Sequence, residues 1–566
     1  MMPLIEVTLA EGRSPEKLRA LISKLTEAVV ETGVAKKEAV RVILREVPKS
    51  HWAAGDETLA ERAAKQQNVK HRKASSQVRK EITVRQLPNF INGKFVETGN
   101  TFDVLYPITG EVTAQAHTAG KAEVDAAVAA ARAALNGPWG KMPQAERATM
   151  VRAIADGINK RFDDFLEAEV LDTGKPYSVA SHVDIPRGGA NFATFADVLR
   201  EHPTEAFRMD TPDGLGALNY GVRRPRGVIG IISPWNLPLL LMTWKAGPAL
   251  ACGNTVVVKP SEVTPSTATL LGEVMNNVGV PEGVYNVVHG FGETGALITS
   301  HPDVDGITFT GETVTGSIIL KAAAPTLKAS SMEMGGKNAG IVFEDADLDL
   351  AVKELGRSCF LNSGQVCLGT ERVYVHESIF DEVADRLVDY AKNELKYGYP
   401  DDEATNFGPV VSDEHRDKVL SYYKLAEEEG AEVLHGGGAP KFGDERDGGS
   451  WVEPTIWKGL AHDSRVATEE IFGPAVALIP FTDEDEVIKL ANDTDYGLAA
   501  TFFTTNSSRV HRVAPQLEAG IIWVNSWFLR DLRTAFGGMK HSGIGREGGV
   551  HGLEFYTETS NVCVKI

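Results

Sequence analysis

Gly227-Val228-Ile229-Gly230-Ile231-Ile232-Ser233 and Thr255-Val256-Val257-Val258-Lys259 are short β-branched runs, each followed at once by a proline, Pro234 or Pro260. Apolar runs this short, bounded by Gly and Pro, read as strands rather than helices. Working outward, the same signature recurs from Gly283 to His289, from Gly306 to Phe309 and from Gly520 to Asn525. Between and before these lie helix-patterned segments such as Ala122 to Leu135 and Ala145 to Ala168. The alternation predicts an α/β fold built on a mainly parallel sheet.

The chain has 566 residues, too many for one core when domains usually hold roughly 100–200. Its 43% apolar and 24% charged residues are those of an ordinary folded protein, and a net charge of -19 opposes nonspecific binding to nucleic acid or anionic membranes. The apolar stretch from Val228 to Val258 is interrupted by Pro234, Asn236, Pro238, Lys245 and Pro248, and the N-terminus lacks a basic-then-apolar leader pattern. The four cysteines, Cys252, Cys359, Cys367 and Cys563, have no disulfide or metal-ligand spacing. The expectation is a cytoplasmic protein with no metal, no nucleic-acid partner and no membrane partner.

The first residues form a separate pattern. Leu4 to Leu9 is β-prone, Ser14-Pro15-Glu16 reads as a helix start, and Leu18, Leu21, Ile22, Leu25, Ala28 and Val29 keep helical spacing up to Gly33. Ala39 to Val47 is a second β-rich run. This β-α-β order predicts two parallel strands joined by a right-handed crossover. Apolar periodicity then fades from about Glu61 to Arg85, where Lys65, Lys70, Arg72, Lys73, Arg79 and Lys80 mark a basic linker.

From Phe90 to Ile566 several phrases together resemble the aldehyde dehydrogenase superfamily: Ser233-Pro234-Trp235-Asn236, Val258-Lys259-Pro260-Ser261-Glu262, Phe309-Thr310-Gly311, Glu333-Met334-Gly335-Gly336-Lys337, Gly364-Gln365-Val366-Cys367 and Glu470-Ile471-Phe472-Gly473-Pro474. The resemblance implies a Rossmann-like NAD domain mainly over 87–332, a catalytic domain mainly over 333–535, and a β oligomerisation element from residues near 200–225 and from 536–566. It implies that the Cys367 thiolate adds to an aldehyde, that Asn236 and the Cys367 N–H hold the oxyanion, and that Glu333 activates the water that hydrolyses the thioester, helps deprotonate Cys367, or does both. It also implies NAD as cofactor. Lys259 and Glu262 would hold the adenosine ribose, a carboxylate there repelling the 2′-phosphate of NADP. The pyrophosphate would lie near Gly311 and Thr313, and Trp235, Glu470 and Phe472 would complete the cofactor site. Gly290-Phe291-Gly292-Glu293-Thr294-Gly295 is a literal GxGxxG after a β-run, and is the competing reading for the phosphates. Glu312 replaces the small hydroxyl residue usual in the family, so it either points away from the phosphates or changes their contacts.

Three further phrases, Ser181-His182-Val183-Asp184-Ile185-Pro186-Arg187, Pro238-Leu239-Leu240-Leu241-Met242-Thr243-Trp244 and Ser526-Trp527-Phe528-Leu529-Arg530-Asp531-Leu532-Arg533, resemble the subgroup that oxidises 2-hydroxymuconate and 2-aminomuconate semialdehydes. A carboxylate far from the aldehyde calls for a guanidinium, so Arg187 and Arg530 are the candidates, with Arg533 in reserve; ion pairs with Asp184 or Asp531 are the alternative. Pro3-Leu4-Ile5, Glu11-Gly12-Arg13-Ser14, Val40-Arg41-Val42 and His51-Trp52 are similar to the 4-oxalocrotonate tautomerase family over about 1–62, followed by the linker at 63–86. That family uses an N-terminal proline as base, with Arg13 and Arg41 on the substrate carboxylates and Trp52 closing the pocket. The combination implies a bifunctional homo-oligomer acting on a small carboxylated aldehyde. Met1-Met2 precede Pro3, so the tautomerase reading requires their removal; otherwise the module serves only assembly.

Overall fold

The computed structural model describes residues 3–10, 15–47, 53–54, 57–58 and 83–566. They divide into two compact units, Met1–Glu81 and Ile82–Ile566. In the first, strands Leu4–Ala10 and Arg41–Val47 pair in parallel, with Leu4 opposite Arg41, and helix Pro15–Glu31 connects them. The helix stops before Gly33, whose φ of 71° suits glycine. Alternation leaves Ile5, Val7, Leu9, Val42 and Leu44 half-buried and Leu4, Glu6, Thr8, Ile43 and Arg45 exposed. The β-α-β expectation thus matches the elements found. The basic linker, Arg13 and Trp52 lie outside the described residues.

The second unit is organised by two sheets. The first has eight strands in the order Gly543–Ile544, Ala329–Glu333, Gly306–Thr310, Val228–Ile232, Thr255–Lys259, Tyr285–Val287, Asn89–Ile91 and Lys94–Val96. Its five middle strands are parallel and wholly or largely buried, which is why they read as continuous β-branched runs rather than alternating ones. Strand order reverses between Val228–Ile232 and Gly306–Thr310, creating a crevice at their carboxyl ends. The second sheet has seven strands in the order Glu432–His435, Thr455–Lys458, Ala475–Phe481, Thr370–His376, Asn338–Val342, Ala499–Phe503 and Ile521–Val524, parallel except at the Glu432–His435 edge.

A third sheet joins Ala206–Met209, Ala217–Pro225 and Thr557–Lys565, all antiparallel, and leaves Phe207, Met209, Leu218 and Val564 exposed. Part of the segment 536–566 therefore joins this sheet, while Gly543–Ile544 returns to the first one. Two expected elements differ in detail. The last residues assigned to the linker already belong to strand Arg85–Leu87, and the helix pattern from Ala145 to Ala168 is two helices, Gln144–Lys160 and Phe162–Thr173. Arg161 breaks it at φ -106°, ψ 29°, and its guanidinium pairs with Asp164 and with the remote Glu273, a tertiary contact that periodicity does not report. Among the described residues no helix is long and apolar enough to cross a membrane.

Candidate active site

The carboxyl ends of the first sheet and the amino ends of the second contribute the side chains of one site. Asn236 follows strand Val228–Ile232, Lys259 ends Thr255–Lys259, Gly311 follows Gly306–Thr310, and Glu333 ends Ala329–Glu333. From the other side, Cys367 precedes Thr370–His376, while Glu470 and Phe472 precede Ala475–Phe481.

The loop carrying Cys367 is held in an unusual backbone shape. Asn362, Ser363 and Gly364 all have positive φ (54°, 54° and 74°), and a Cβ on Gly364 would come within 2.1 Å of the Gly473 carbonyl. Such strain persists only when neighbours over-determine it. Here Ser363 Oγ donates to Gly408 O at 2.7 Å, Val411 N to Gln365 Oε1 at 2.9 Å, and Asn338 Nδ2 to Cys367 O at 2.7 Å. Trp527 Nε1 fixes Leu368 O at 2.9 Å. Asn236 is bound into the same loop: one amide N–H donates to Gln365 O at 3.0 Å, which leaves the other available to an oxyanion.

Cys367 is half-buried, and burial, then the charges of Glu470 and Glu333, pushes its thiol up to about 12. Glu333 is buried, neither of its oxygens has a hydrogen-bond partner, and burial followed by the neighbouring Glu547 carries its carboxyl well above the ordinary range. An unpartnered carboxyl in an apolar wall is costly unless it has work to do there. Two residues that the sequence did not single out for the site stand beside it. Lys245 Nζ meets Glu547 Oε1 at 2.9 Å, both buried, and Ser331 Oγ donates to the same oxygen at 3.1 Å. Lys245 was visible as the one charge inside an apolar helix, Pro238–Ala251, whereas Glu547 sits in a Gly-rich segment with no local signal.

The arginine pair is brought to this site. The Arg530 guanidinium lies 4.3 Å from the Trp244 ring and 4.0 Å from the Phe536 ring, a stacked setting, with Nε and Nη2 buried and unpartnered. Burial first, then Arg187, holds it down to about 9, while Glu547, Glu333 and Cys367 act in the other direction. Arg187 is lowered to about 10 by burial, and its Nε is also unpartnered. Both stay cationic at neutral pH. The alternative ion pairs are taken by other partners: Asp184 pairs with Lys175 at 3.1 Å and Asp531 with Arg533 at 2.6 Å. Arg533 is therefore already paired with its neighbour.

The cofactor side fits a dinucleotide. Lys259 Nζ pairs with Glu262 Oε2 at 2.9 Å at the crevice. Helix Thr313–Ala323 begins directly after Gly311, so its first N–H groups face the strand ends, and a Cβ at Gly311 would strike the Phe309 ring at 2.5 Å. Glu312 pairs with Lys418 at 3.3 Å and is largely exposed, which answers its unexpected presence: it turns away from the helix start. Val314 and Ile318, four residues apart, leave an exposed apolar strip on the same helix. Glu470 accepts Gly336 N–H at 2.8 Å, its carboxyl raised to about 8 by burial and then by Glu371. Phe472 has φ 61° and meets Trp235 edge-on at 5.2 Å. A buried pair missed in the sequence, Lys337 and Glu371 at 2.5 Å, sets that loop, because Glu371 Oε1 also accepts Ile471 N–H at 3.2 Å and Phe472 N–H at 2.8 Å. The competing GxGxxG is accounted for by packing: Thr294 Oγ1 donates to Ala119 O at 2.8 Å, and Phe291 meets Phe102 at 4.9 Å.

In the first unit, Arg41 N donates to Pro3 O at 3.0 Å, which sets Pro3 beside Arg41 at one end of the ladder.

Comparison with known proteins agrees with this geometry. Residues 95–562 match the aldehyde dehydrogenase family and residues 3–62 match the description "Tautomerase enzyme". The chain is 64% identical over 487 residues to a 2-hydroxymuconic semialdehyde dehydrogenase of Pseudomonas sp. (strain CF600), covering 85% of this chain and 100% of that one. It is 57% identical over 485 residues to a 2-aminomuconic 6-semialdehyde dehydrogenase of Pseudomonas sp, covering 85% and 99%. An NAD+ complex of an aldehyde dehydrogenase from Bacillus cereus superposes with a TM-score of 0.82 at 40% identity, covering 85% and 97%. This chain thus belongs to the aldehyde dehydrogenase family, uses NAD, and carries a tautomerase-family domain at its N-terminus.

Proposed function

We propose that the enzyme oxidises 2-hydroxymuconate semialdehyde to 2-hydroxymuconate. The observation that carries this is the Arg530 guanidinium, stacked on two rings, its Nε and Nη2 buried and without a hydrogen-bond partner among the described residues, within electrostatic reach of Cys367. A substrate with a carboxylate at one end, held by Arg530 and Arg187, and an aldehyde at the other answers both features at once. Cys367 loses its thiol proton to solvent water and the thiolate adds to the aldehyde carbon; Asn236 Nδ2–H and the Cys367 N–H receive the oxyanion, whose collapse expels hydride from that carbon and leaves the thioester. Bound NAD supplies the hydride acceptor, held by Trp235, Lys259, Glu262, Gly311, Thr313, Glu470 and Phe472. Glu333, once ionised, takes a proton from the water that attacks the thioester and frees Cys367.

The relatives' names support the substrate, and the amino compound is the second reading because a relative with that activity is 57% identical. Replacing Arg530 by Met should raise KM for the semialdehyde by about 30-fold or more, since a buried charge pair is worth roughly 2–5 kcal/mol, with a smaller effect on an uncharged aldehyde. An equal loss on both aldehydes would refute the carboxylate role. Comparing NAD reduction with the hydroxy and amino semialdehydes distinguishes the two readings.

We further propose that the N-terminal domain converts the product to 2-oxo-3-hexenedioate, with Pro3 as base and Arg13, Arg41 and Trp52 holding the dianion. Its amine is basic only if Met1 and Met2 are removed. An intact mass that retains Met2 defeats this step and leaves the domain an assembly role. The exposed apolar residues of the three-stranded sheet support a homo-oligomer, and four free thiols suit the cytoplasm.

A further inference from the structure

Behind Asn236 lies a buried charged cluster that no step of the oxidation uses. Lys175 Nζ donates to the Asn236 backbone carbonyl at 2.9 Å and to Asp184 Oδ1 at 3.1 Å, with Glu169 Oε1 at 3.5 Å; all four residues are buried. Glu169 Oε2 accepts Leu239 N–H at 3.3 Å, in the first turn of helix Pro238–Ala251. Asp184 opens helix Asp184–Glu201, and Arg187 stands one turn further along it. One ammonium group thus joins the backbone of Asn236, the helix that follows Asn236 and the helix that carries Arg187.

Burying three ionisable groups is expensive, and an apolar replacement of similar volume is often at least as stable. Packing alone does not explain the choice. Burial lifts Glu169 to about 8 and raises Asp184, while the Lys175 ammonium pulls both carboxyls the other way. What these groups add is direction, because each bond fixes a backbone atom or a helix start.

We infer that Lys175, with Glu169 and Asp184, is a positioning residue that fixes the span between the aldehyde end of the site, at Asn236, and the carboxylate end, at Arg187. This rests on the proposed roles of Asn236 and Arg187. The cluster acts as a ruler for substrate length, since a misplacement of about 1 Å can cost about 100-fold in rate.

The test uses the full chain with NAD, following the single-turnover NADH burst with the carboxylated semialdehyde and with benzaldehyde. Lys175→Met should slow the burst about 100-fold with both aldehydes, with Lys175→Arg recovering part of it. Asp184→Asn keeps the ammonium on Asn236 but loosens the helix of Arg187. It should lower kcat/KM for the semialdehyde about tenfold more than for benzaldehyde, which a general loss of stability would not do. If Lys175→Met does not fold, that ratio alone decides. Asn236→Ala and Arg187→Met test the underlying reading: if the first leaves the burst unchanged, or the second leaves the preference for the semialdehyde unchanged, that reading fails. If both act as proposed while folded Lys175→Met keeps its burst and Asp184→Asn keeps the ratio, the positioning role is overturned.

Discussion

Glu333 is the residue where folding and chemistry make opposite demands. Its carboxyl is raised by burial, which favours the protonated form, yet it can accept a proton from water only when ionised. Thioester hydrolysis should therefore speed up as pH rises through the raised value. Stability should move the other way. A carboxyl raised by folding favours the native state fully below its unfolded value, and that contribution is lost as pH climbs through the folded one. Glu470 and Glu169, both raised to about 8, set the window from about 4.5 to about 8, and Glu470→Gln should flatten the fall of Tm across it. Glu333→Gln should lower kcat by about 10²–10⁴-fold while still releasing one NADH per site in the first turnover. Loss of that burst along with kcat would mean that Glu333 serves the thiol rather than the water.

At the scale of elements, the cofactor side depends on two loops tied by the Lys337–Glu371 pair. Glu371→Gln keeps the shape but weakens the hold on the Ile471 and Phe472 amides, so KM for NAD should rise about 10- to 150-fold, as expected for one charge-assisted bond of roughly 1.5–3 kcal/mol, with aldehyde KM little changed. NAD titration by fluorescence checks it. The strands were legible because Val228–Ile232, Thr255–Lys259 and Gly306–Thr310 are buried on both faces and so, apart from the terminal Lys259, apolar or β-branched. Cys367, Glu333 and Asn236 were legible because each lies in a short phrase of distinctive residues. Glu371 and Glu547 were not, since each pairs with a lysine far away in the chain, and Lys175 was not, since a charge beside nearby acids looks like a surface residue until burial is known. The break at Arg161 escaped for the same reason: its partner Glu273 is remote in sequence.

At the scale of the molecule, residues 82–566 contain every residue proposed for aldehyde oxidation, and the aldehyde dehydrogenase match at 95–562 falls inside them, so that segment alone should retain aldehyde oxidation, measured by NAD reduction. Within it, Glu333 ends one sheet and Asn338 begins the next. The thiol and its base thus belong to different layers, and activity in urea should be lost before the far-ultraviolet signal, because a small loosening between the layers separates them. The unpartnered Arg530 carries a consequence for turnover. Oxidation converts the aldehyde end into a second carboxylate beside Glu333, so the product is gripped at one end and, once Glu333 is ionised, repelled at the other. Release is then driven electrostatically from the chemical end outward, and small dicarboxylates of similar length become natural brakes on the enzyme.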